Sequence, residues 1–241
     1  MKDKSTRIFL WSGPRNISTT LMYSFAQRPD TKVFDEPLYA HYLSKSNAKT
    51  YHPEAKQIIK TMECNGQKVA SQMLHDNHAP VLFYKNMTHH LLDLDIGFLN
   101  QGINIILTRD PMDMLPSFHK VIPNPTLKDV GYKAHLDLIQ EFEENNTDYV
   151  IMDSKMILDN PEHELKKLCK HANIAFYKEM LSWPAKARTE DGLWAKHWYK
   201  NIHKSNGFMK YNQKTEIFPI ELMPLLKECQ VFYNELVNKI K

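Results

Sequence analysis

The stretch Arg7-Ile-Phe-Leu-Trp-Ser-Gly-Pro-Arg-Asn-Ile-Ser-Thr-Thr-Leu-Met22 decides how this chain folds. Its apolar run, residues 8–11, reads as a strand that stops at Ser12-Gly13-Pro14, and a helical pattern starts near Ser18. Strand, tight turn and helix N-terminus together make an anion site from backbone N–H groups and the positive end of the helix dipole. The turn adds one guanidinium, Arg15, and three adjacent hydroxyls, Ser18, Thr19 and Thr20. It reads as a phosphate cradle. Ser and Thr are also ordinary helix caps, so the rest of the chain must separate a binding loop from a merely capped helix.

Four more short apolar runs follow, at residues 32–34, 81–84, 103–108 and 149–152. Most are β-branched or aromatic rather than alternating, as suits strands covered on both faces. The intervals between most of them are long enough for crossover helices, which a parallel sheet requires. Helical patterns are expected at residues 18–27, 53–63, 88–94, 111–120, 126–145, 161–172 and 219–239. Two of them begin with Pro after a capping residue, Asp110-Pro111 and Asn160-Pro161, where the missing N–H costs nothing. The expected fold class is α/β: one domain, residues 1–241, with a parallel five-stranded sheet flanked by helices on both faces. Residues 183–211 fit that pattern poorly, being dense in Trp183, Trp194, His197, Trp198, Tyr199, His203 and Lys204. Such a segment either closes over a ligand's ring and phosphates or packs on the core. With no motif in it, packing is the expectation taken.

The composition of the 241 residues is that of a globular protein, with a formal charge of +3. That charge suits an anionic small molecule and falls short of the strongly basic profile of a nucleic-acid binder. Cys64, Cys169 and Cys229 are odd in number and widely scattered, which argues against a disulfide framework and a Cys-based zinc site and for a reducing compartment. Residues 1–7 run straight into a four-residue apolar strand, too short for a signal-peptide core. No apolar run reaches membrane-spanning length. A cytoplasmic protein that engages neither membrane nor nucleic acid is expected.

In an open parallel sheet, ligands bind beyond the carboxyl ends of the strands. That rule selects Arg15 and Ser18–Thr20, then Asp35-Glu36-Pro37, then Lys85-Asn86-Met87-Thr88-His89-His90, then Arg109-Asp110-Pro111 with Ser117, and last Asp153-Ser154. Two arginines, a lysine and several hydroxyls converging on one edge imply a multiply anionic ligand. The Walker A pattern G-x-x-x-x-G-K-[ST] can be tested directly. Counted from Gly13, its second Gly falls on Ser18, its Lys on Thr19 and its hydroxyl on Thr20. The pattern fails at the Lys that an ATPase or kinase needs on its β/γ-phosphates. The run Tyr149-Val-Ile-Met-Asp153 is Walker B-like, but Asp153 serves more simply as a cap for a short helix after it.

What remains is a phosphate loop whose cation sits early, at Arg15, and an Arg–Ser pair eight residues apart, Arg109 and Ser117. This resembles the P-loop sulfotransferases, whose first motif typically reads Pro-Lys/Arg-Ser-Gly-Thr-Thr; here it is Pro14-Arg15-Asn16-Ile17-Ser18-Thr19. The chain is more similar still to a sulfotransferase-like subgroup found in bacteria and plants. That subgroup carries a Gly-Pro-Arg-Asn loop, an Asp-Glu-Pro turn and a late Asp-Gly-x-Trp-Ala-x-His-Trp-Tyr stretch, here Asp191–Tyr199. The likeness extends over nearly the whole chain. It implies a P-loop nucleoside triphosphate hydrolase-like fold and 3′-phosphoadenosine 5′-phosphosulfate as donor, with a small acceptor and no metal. By resemblance, Arg15, Ser18 and Thr19 hold the 5′-phosphosulfate, and Arg109 and Ser117 the 3′-phosphate; Asn16, Ile17 and Thr20 of the same loop are expected to border the donor too. Ile17 stands where better-characterised members have Gly, and Thr20 where many have a Trp that stacks on adenine. The adenine platform is therefore expected elsewhere, for instance in residues 183–211.

Sulfuryl transfer depends on positioning and electrostatics, and the acceptor must lose a proton. Glu36, just past the second strand, is the best-placed base, and a Glu in a similar turn serves some related sulfotransferases. Against that stands an ordinary turn carboxylate fixed by Pro37. Lys85 is expected either to touch the sulfuryl group or to pair with Asp35 or Glu36. His89 and His90 are rival bases because imidazole titrates near neutral pH, though both also suit a helix surface, with His90 exposed. His75-x-x-His78 lacks the further ligands a metal site needs. The acceptor pocket is expected from residues 39–60 and 123–133. Two other readings stay open: an atypical P-loop kinase, and a binder of phosphorylated nucleotides without catalysis.

Overall fold

The computed structural model describes residues 5–211 and 217–240; the first four residues of the N-terminal stretch read above lie outside it. Five strands, β1 (Thr6–Ser12), β2 (Thr31–Asp35), β3 (Val81–Met87), β4 (Ile103–Thr108) and β5 (Tyr149–Asp153), form one sheet in the order β2-β3-β1-β4-β5. Every pairing is parallel. Each expected strand is present, extended by a residue or more at one end or both in all but the fourth.

Period-two geometry sends alternate residues of β1 to opposite faces. Ile8 and Leu10 join Phe83, Ile105 and Leu107 in one buried layer. Phe9 and Trp11 join Leu82, Tyr84 and Ile106 in the other. Helices α1 (Ser18–Phe25), α8 (Ser154–Asp159) and α9 (Pro161–His171) supply the first layer through Leu21, Met22, Phe25, Ile157, Leu165 and Leu168. On the second face, α4 (Gly66–His75), α5 (Pro111–His119), α7 (Tyr132–Glu144) and α11 (Met223–Asn238) contribute Val69, Met73, Leu115, Leu138 and Leu226 among others. A third cluster joins α2 (Tyr39–Lys45) and α3 (Ala55–Thr61) to α10 (Ala195–Trp198) through Tyr39, Tyr42, Ile58, Trp194 and Tyr199.

The sequence reading departs from the structure at several helices. The pattern at 126–145 breaks into α6 (Leu127–Val130) and α7, because Gly131 adopts φ 80° between them. Residues 88–94 make only a short 3₁₀ turn, Thr88–Leu91. Helices α2 and α4 were not foreseen. The α4 signal was present: Asn65 caps it by accepting from the Lys68 N–H, and Val69, Ala70 and Met73 line its buried face. Buried Arg7 holds its other end, donating from Nε to the Met73 carbonyl at 3.0 Å and from Nη2 to that of Asp76 at 2.7 Å. A guanidinium on the last carbonyls of a helix satisfies acceptors that have no helical partner.

The chain leaves β1 toward β2 on one side and leaves β4 toward β5 on the other, so the strand order reverses between β1 and β4. That switch point is where an open α/β sheet leaves a crevice. The loop after β1 packs there against the turn between α6 and α7. A Cβ on Gly13 would lie 2.6 Å from the Val130 carbonyl oxygen. Gly13→Ala is therefore expected to lower the unfolding free energy by about 1–3 kcal/mol, measured by urea denaturation; an unchanged midpoint would mean the loop and this turn do not pack so closely.

Candidate active site

A cavity of about 310 Å³ opens at the carboxyl ends of the strands. Many of the residues singled out above line it: Arg15, Asn16, Ile17, Ser18, Thr19 and Thr20 from the first loop, Glu36 after β2, Lys85, His89 and His90 at β3, and Arg109 and Ser117 from β4 and α5; Asp35, Asp110, Asp153 and Ser154 do not.

The first loop is strained. Arg15 and Ile17 both have φ 60°, the left-handed region, where a β-branched residue is an outlier costing about 1–3 kcal/mol. Ile17 is the residue before α1, and α1 has no side-chain cap. Its first N–H groups thus face the loop without an intrachain partner. A glycine would adopt this conformation freely, which explains the Gly that resembling proteins carry here. The Asn16 side chain is tied to the sheet, donating from Nδ2 to the Leu107 carbonyl at 3.1 Å. Its own carbonyl accepts from Ser154 Oγ at 2.9 Å. Asn16 and Ser154 thereby fasten the loop to the sheet.

The two arginines are connected through the protein. Arg15 crosses the cavity, donating from Nε to Ser117 Oγ and from Nη1 to the Trp198 carbonyl, both at 3.0 Å. Arg109 donates from Nη1 to the Arg15 carbonyl at 2.9 Å. Burial, and then the neighbouring Arg109, lower the Arg15 pKa from its ordinary value. Arg15, Ser117 and Arg109 are thus linked to one another, Arg15 through its side chain to Ser117 and through its carbonyl to Arg109.

At the opposite end lies a buried ionic network. Lys85 is 1% exposed. It donates to Asp35 Oδ1 at 2.8 Å, to Tyr199 Oη at 2.7 Å and to Glu36 Oε1. An ammonium has three N–H donors, and here all three go to protein groups, Asp35 and Glu36 among them as the pairing alternative expected. Glu36 sits at φ 47° and is buried. Burial raises its pKa to about 7, against the lowering pull of Lys85 and with a further rise from Asp35.

Between the two ends the walls come from segments expected to form an acceptor pocket. Tyr39, Tyr42, His52 and Asp129 all line the cavity. Tyr39 Oη and His52 Nδ1 are 2.7 Å apart. His90 is buried, not exposed, because its ring is sandwiched between Tyr39 and Tyr42 at 4.9 and 5.0 Å. Burial lowers the pKa of His89 to about 3, and of His52 to about 4. His75 turns back onto the Ser71 carbonyl, and His78 pairs with Asp76. Asp153 caps α8 through the Lys155 and Met156 N–H groups and accepts from Tyr233 Oη.

Residues 183–211 pack on the core, as expected, and also line the cavity. Trp183, Trp194 and Tyr199 are buried in the core clusters, while Trp194, Trp198, Tyr199, Asn201 and Ile202 line the cavity. Asp191 anchors the segment, accepting from Tyr23 Oη at 2.7 Å and from the Arg188 N–H at 3.0 Å. The indole of Trp194 lies so close over Gly192 that a Cβ would meet it at 2.2 Å. Tyr199 is the site residue that sequence reasoning missed. Its signal was its place at the end of the late motif.

A family model described as "Sulfotransferase domain" matches residues 6–239. The chain belongs to this sulfotransferase domain family. Among curated proteins, the domain is 36% identical over 231 residues to branched-chain-amino-acid aminotransferase-like protein 2 of Arabidopsis thaliana, and 36% identical over 236 residues to protein 1 of the same name. Those matches cover 95% and 97% of this chain but 41% and 42% of the relatives, so the chain spans about two-fifths of their length. Among solved structures, the sulfotransferase domain from the curacin biosynthetic pathway aligns with a TM-score of 0.56 at 16% identity, covering 98% of this chain and 99% of that one. A sulfotransferase of Mycobacterium avium aligns with a TM-score of 0.53 at 12% identity, covering 99% and 78%. At such identities the likeness is one of fold: the five-stranded parallel α/β sulfotransferase fold. No helix among the described residues is long and apolar enough to cross a membrane.

The buried imidazoles give the fold a pH dependence of known sign. His52, His89 and buried His135 resist protonation in the folded sulfotransferase domain, with pKa values of about 4, 3 and 3. The unfolded chain takes up those protons below about pH 6.5. Their stabilising effect is complete above that value and is lost as pH falls toward 3–4, by up to about 1.4 kcal/mol per pH unit for each His. Thermal unfolding is expected to move to lower temperature between pH 7 and pH 5, with a smaller movement in His135→Leu; a flat profile for the parent protein would contradict the burial.

Proposed function

We propose that this domain transfers a sulfuryl group from 3′-phosphoadenosine 5′-phosphosulfate to a hydroxyl or amine of a small acceptor, in the cytoplasm and without a metal. The observation that carries the reading is that one cavity joins a cationic end, made by Arg15, Arg109, Ser117 and the uncapped start of α1, to a buried carboxylate, Glu36. The residues fit an anionic donor. Guanidinium groups stay charged and act as fixed positive ends rather than proton donors. Ser18 and Thr19, with the N–H groups at the α1 terminus, suit phosphate or sulfate oxygens. When bound, the donor supplies an activated sulfuryl group and leaves as adenosine 3′,5′-bisphosphate.

The chain's own work is placement, charge and proton transfer. Glu36 takes the acceptor's proton on its carboxylate, and a pKa near 7 suits a base working at neutral pH. His89, the rival base, is held neutral with too little affinity for a proton to compete. Tyr39, Tyr42, His52 and Asp129 wall the acceptor's side. Phe118 and Trp198, stacked with ring centroids 6.1 Å apart, offer the aromatic surface beside Ser117 on which adenine would rest. A kinase reading has less support, because Asp153 is committed as a cap and Thr19 replaces the Walker Lys. The aminotransferase-like name belongs to longer relatives, of which this chain spans only part.

Adenosine 3′,5′-bisphosphate without magnesium, at a concentration about 100-fold above its dissociation constant, is expected to stabilise the protein by roughly 2.7 kcal/mol, read as a thermal shift. A response only to ATP with magnesium would replace this reading with the kinase one. Arg109→Ala is expected to weaken the bisphosphate far more than adenosine 5′-phosphate; equal losses would mean that Arg109 acts only by clamping the Arg15 carbonyl. Glu36→Gln is expected to abolish turnover with an acceptor and leave bisphosphate binding nearly intact. Retained turnover would return the base to a histidine, and a parent protein that binds but turns over no acceptor would favour the non-catalytic binder.

A further inference from the structure

Two adjacent carboxylates, Asp35 and Glu36, reach the same ammonium, yet their surroundings differ. Asp35 receives a donor from every side. Its Oδ1 accepts from Lys85 at 2.8 Å and lies 2.8 Å from Tyr199 Oη, while Oδ2 accepts from the Gly192 N–H at 3.0 Å. The Glu36 carboxylate accepts, among the described residues, from Lys85 alone. Tyr199 Oη uses its full capacity: it donates its one proton to Asp35 and accepts from Lys85 at 2.7 Å and from Trp194 Nε1 at 3.1 Å. Asp35 does not line the cavity, whereas Glu36 does.

We propose that Asp35 is the permanent counter-ion of Lys85, that Tyr199 is the clamp that keeps it ionised, and that this division leaves Glu36 as the one carboxylate of the pair free to take and release a proton. Asp35 and Tyr199 are positioning residues in this scheme, acting through Lys85 and Glu36. The inference rests on Glu36 being the base, as proposed above, and it deepens that reading by giving the late segment a part in the chemistry. One buried ammonium can neutralise one carboxylate fully. The carboxylate with more donors to its charged form stays ionised, so the second, desolvated and facing the fixed negative charge of the first, becomes the site where a proton is stable. Hydrogen bonds from Tyr199, Gly192 and Lys85 all favour ionised Asp35; burial and Asp35 both favour a proton on Glu36. The proton balance is complete: a proton leaving an acceptor hydroxyl or amine adds to Glu36 Oε, and the ion pair between Lys85 and Asp35 is unchanged. Solvent takes that proton from Glu36 once the product has left.

The test is a carboxyl titration followed by ¹³C NMR on the full-length protein labelled at Glu and Asp side-chain carboxyls, which requires no acceptor. In the parent protein one Glu carboxyl should titrate near neutral pH and vanish in Glu36→Gln. A near-neutral titration found instead on an Asp carboxyl, and retained in Glu36→Gln, would overturn the proposal. In Asp35→Asn, Glu36 becomes the only counter-ion of Lys85, and its titration should fall by about 1–3 pH units. Tyr199→Phe removes the clamp without removing a charge, and the near-neutral titration should then spread over an Asp and a Glu carboxyl, as coupled groups do. A Glu36 titration unmoved in Tyr199→Phe would overturn the proposal even if Asp35→Asn did not fold. A role that is only structural would lower thermal stability without moving either titration. Binding of adenosine 3′,5′-bisphosphate, measured in parallel, separates the two readings: its absence in the parent protein removes the sulfotransferase reading and leaves the titration result standing.

Discussion

An almost fully buried lysine ammonium is the constraint around which the site is arranged. Burying an uncompensated charge is prohibitive, and removing one partner of a buried ion pair typically costs about 3–5 kcal/mol. Lys85 lies at the end of β3, a central strand, so its partners must be brought to it. The end of β2 brings Asp35 and Glu36, and residues 191–199 bring Tyr199 and the Gly192 N–H. Three segments distant in sequence are thereby fixed relative to each other by one charge.

The same economy holds at the cationic end. Arg109 fastens the Arg15 carbonyl, Arg15 fastens Ser117 and the backbone of Trp198, and Asn16 with Ser154 ties the loop to the sheet. These bonds hold Arg15 and Ile17 in left-handed conformations that neither residue adopts readily. With Glu36 also at positive φ, three strained residues border one cavity. Strain of this kind persists only where the surroundings over-determine the backbone, and it collects at functional sites. The contact from Arg15 to Trp198 joins the phosphate loop to the aromatic segment, so the cavity's two ends share a wall.

The sheet was legible because strands covered on both faces need short apolar runs; four stand out clearly, and Val33-Phe34 marks the edge strand β2 beside an exposed Lys32. Most of the cavity-lining residues named from the sequence were legible because they follow such runs, and a parallel sheet brings all its carboxyl ends to one edge. What failed was local. Helix 126–145 read as continuous because one glycine inside a periodic pattern seldom ends a helix, yet Gly131 turns there to pass Gly13. His90 read as exposed because a helix surface was expected, and two tyrosines from an unforeseen helix enclose it. Tyr199 was noticed only as one of several aromatics, since nothing in residues 183–211 states which ring carries a hydroxyl into an ionic network.

By itself, the sequence determined the α/β class, the strand–loop–helix cradle at residues 8–20, the family, and the set of residues that meet at one edge. Hydrophobic periodicity and short-range turn chemistry, both local properties, are enough for that. Only the tertiary structure decided that Arg15 and Arg109 form one cluster, that Lys85 spends all three of its N–H groups inside the protein, and that Asp35 and Glu36, neighbours in sequence, have opposite surroundings. Each of those outcomes depends on burial and on partners many residues away, and the charge and hydrogen-bonding state of a buried group is set by what surrounds it rather than by its place in the chain.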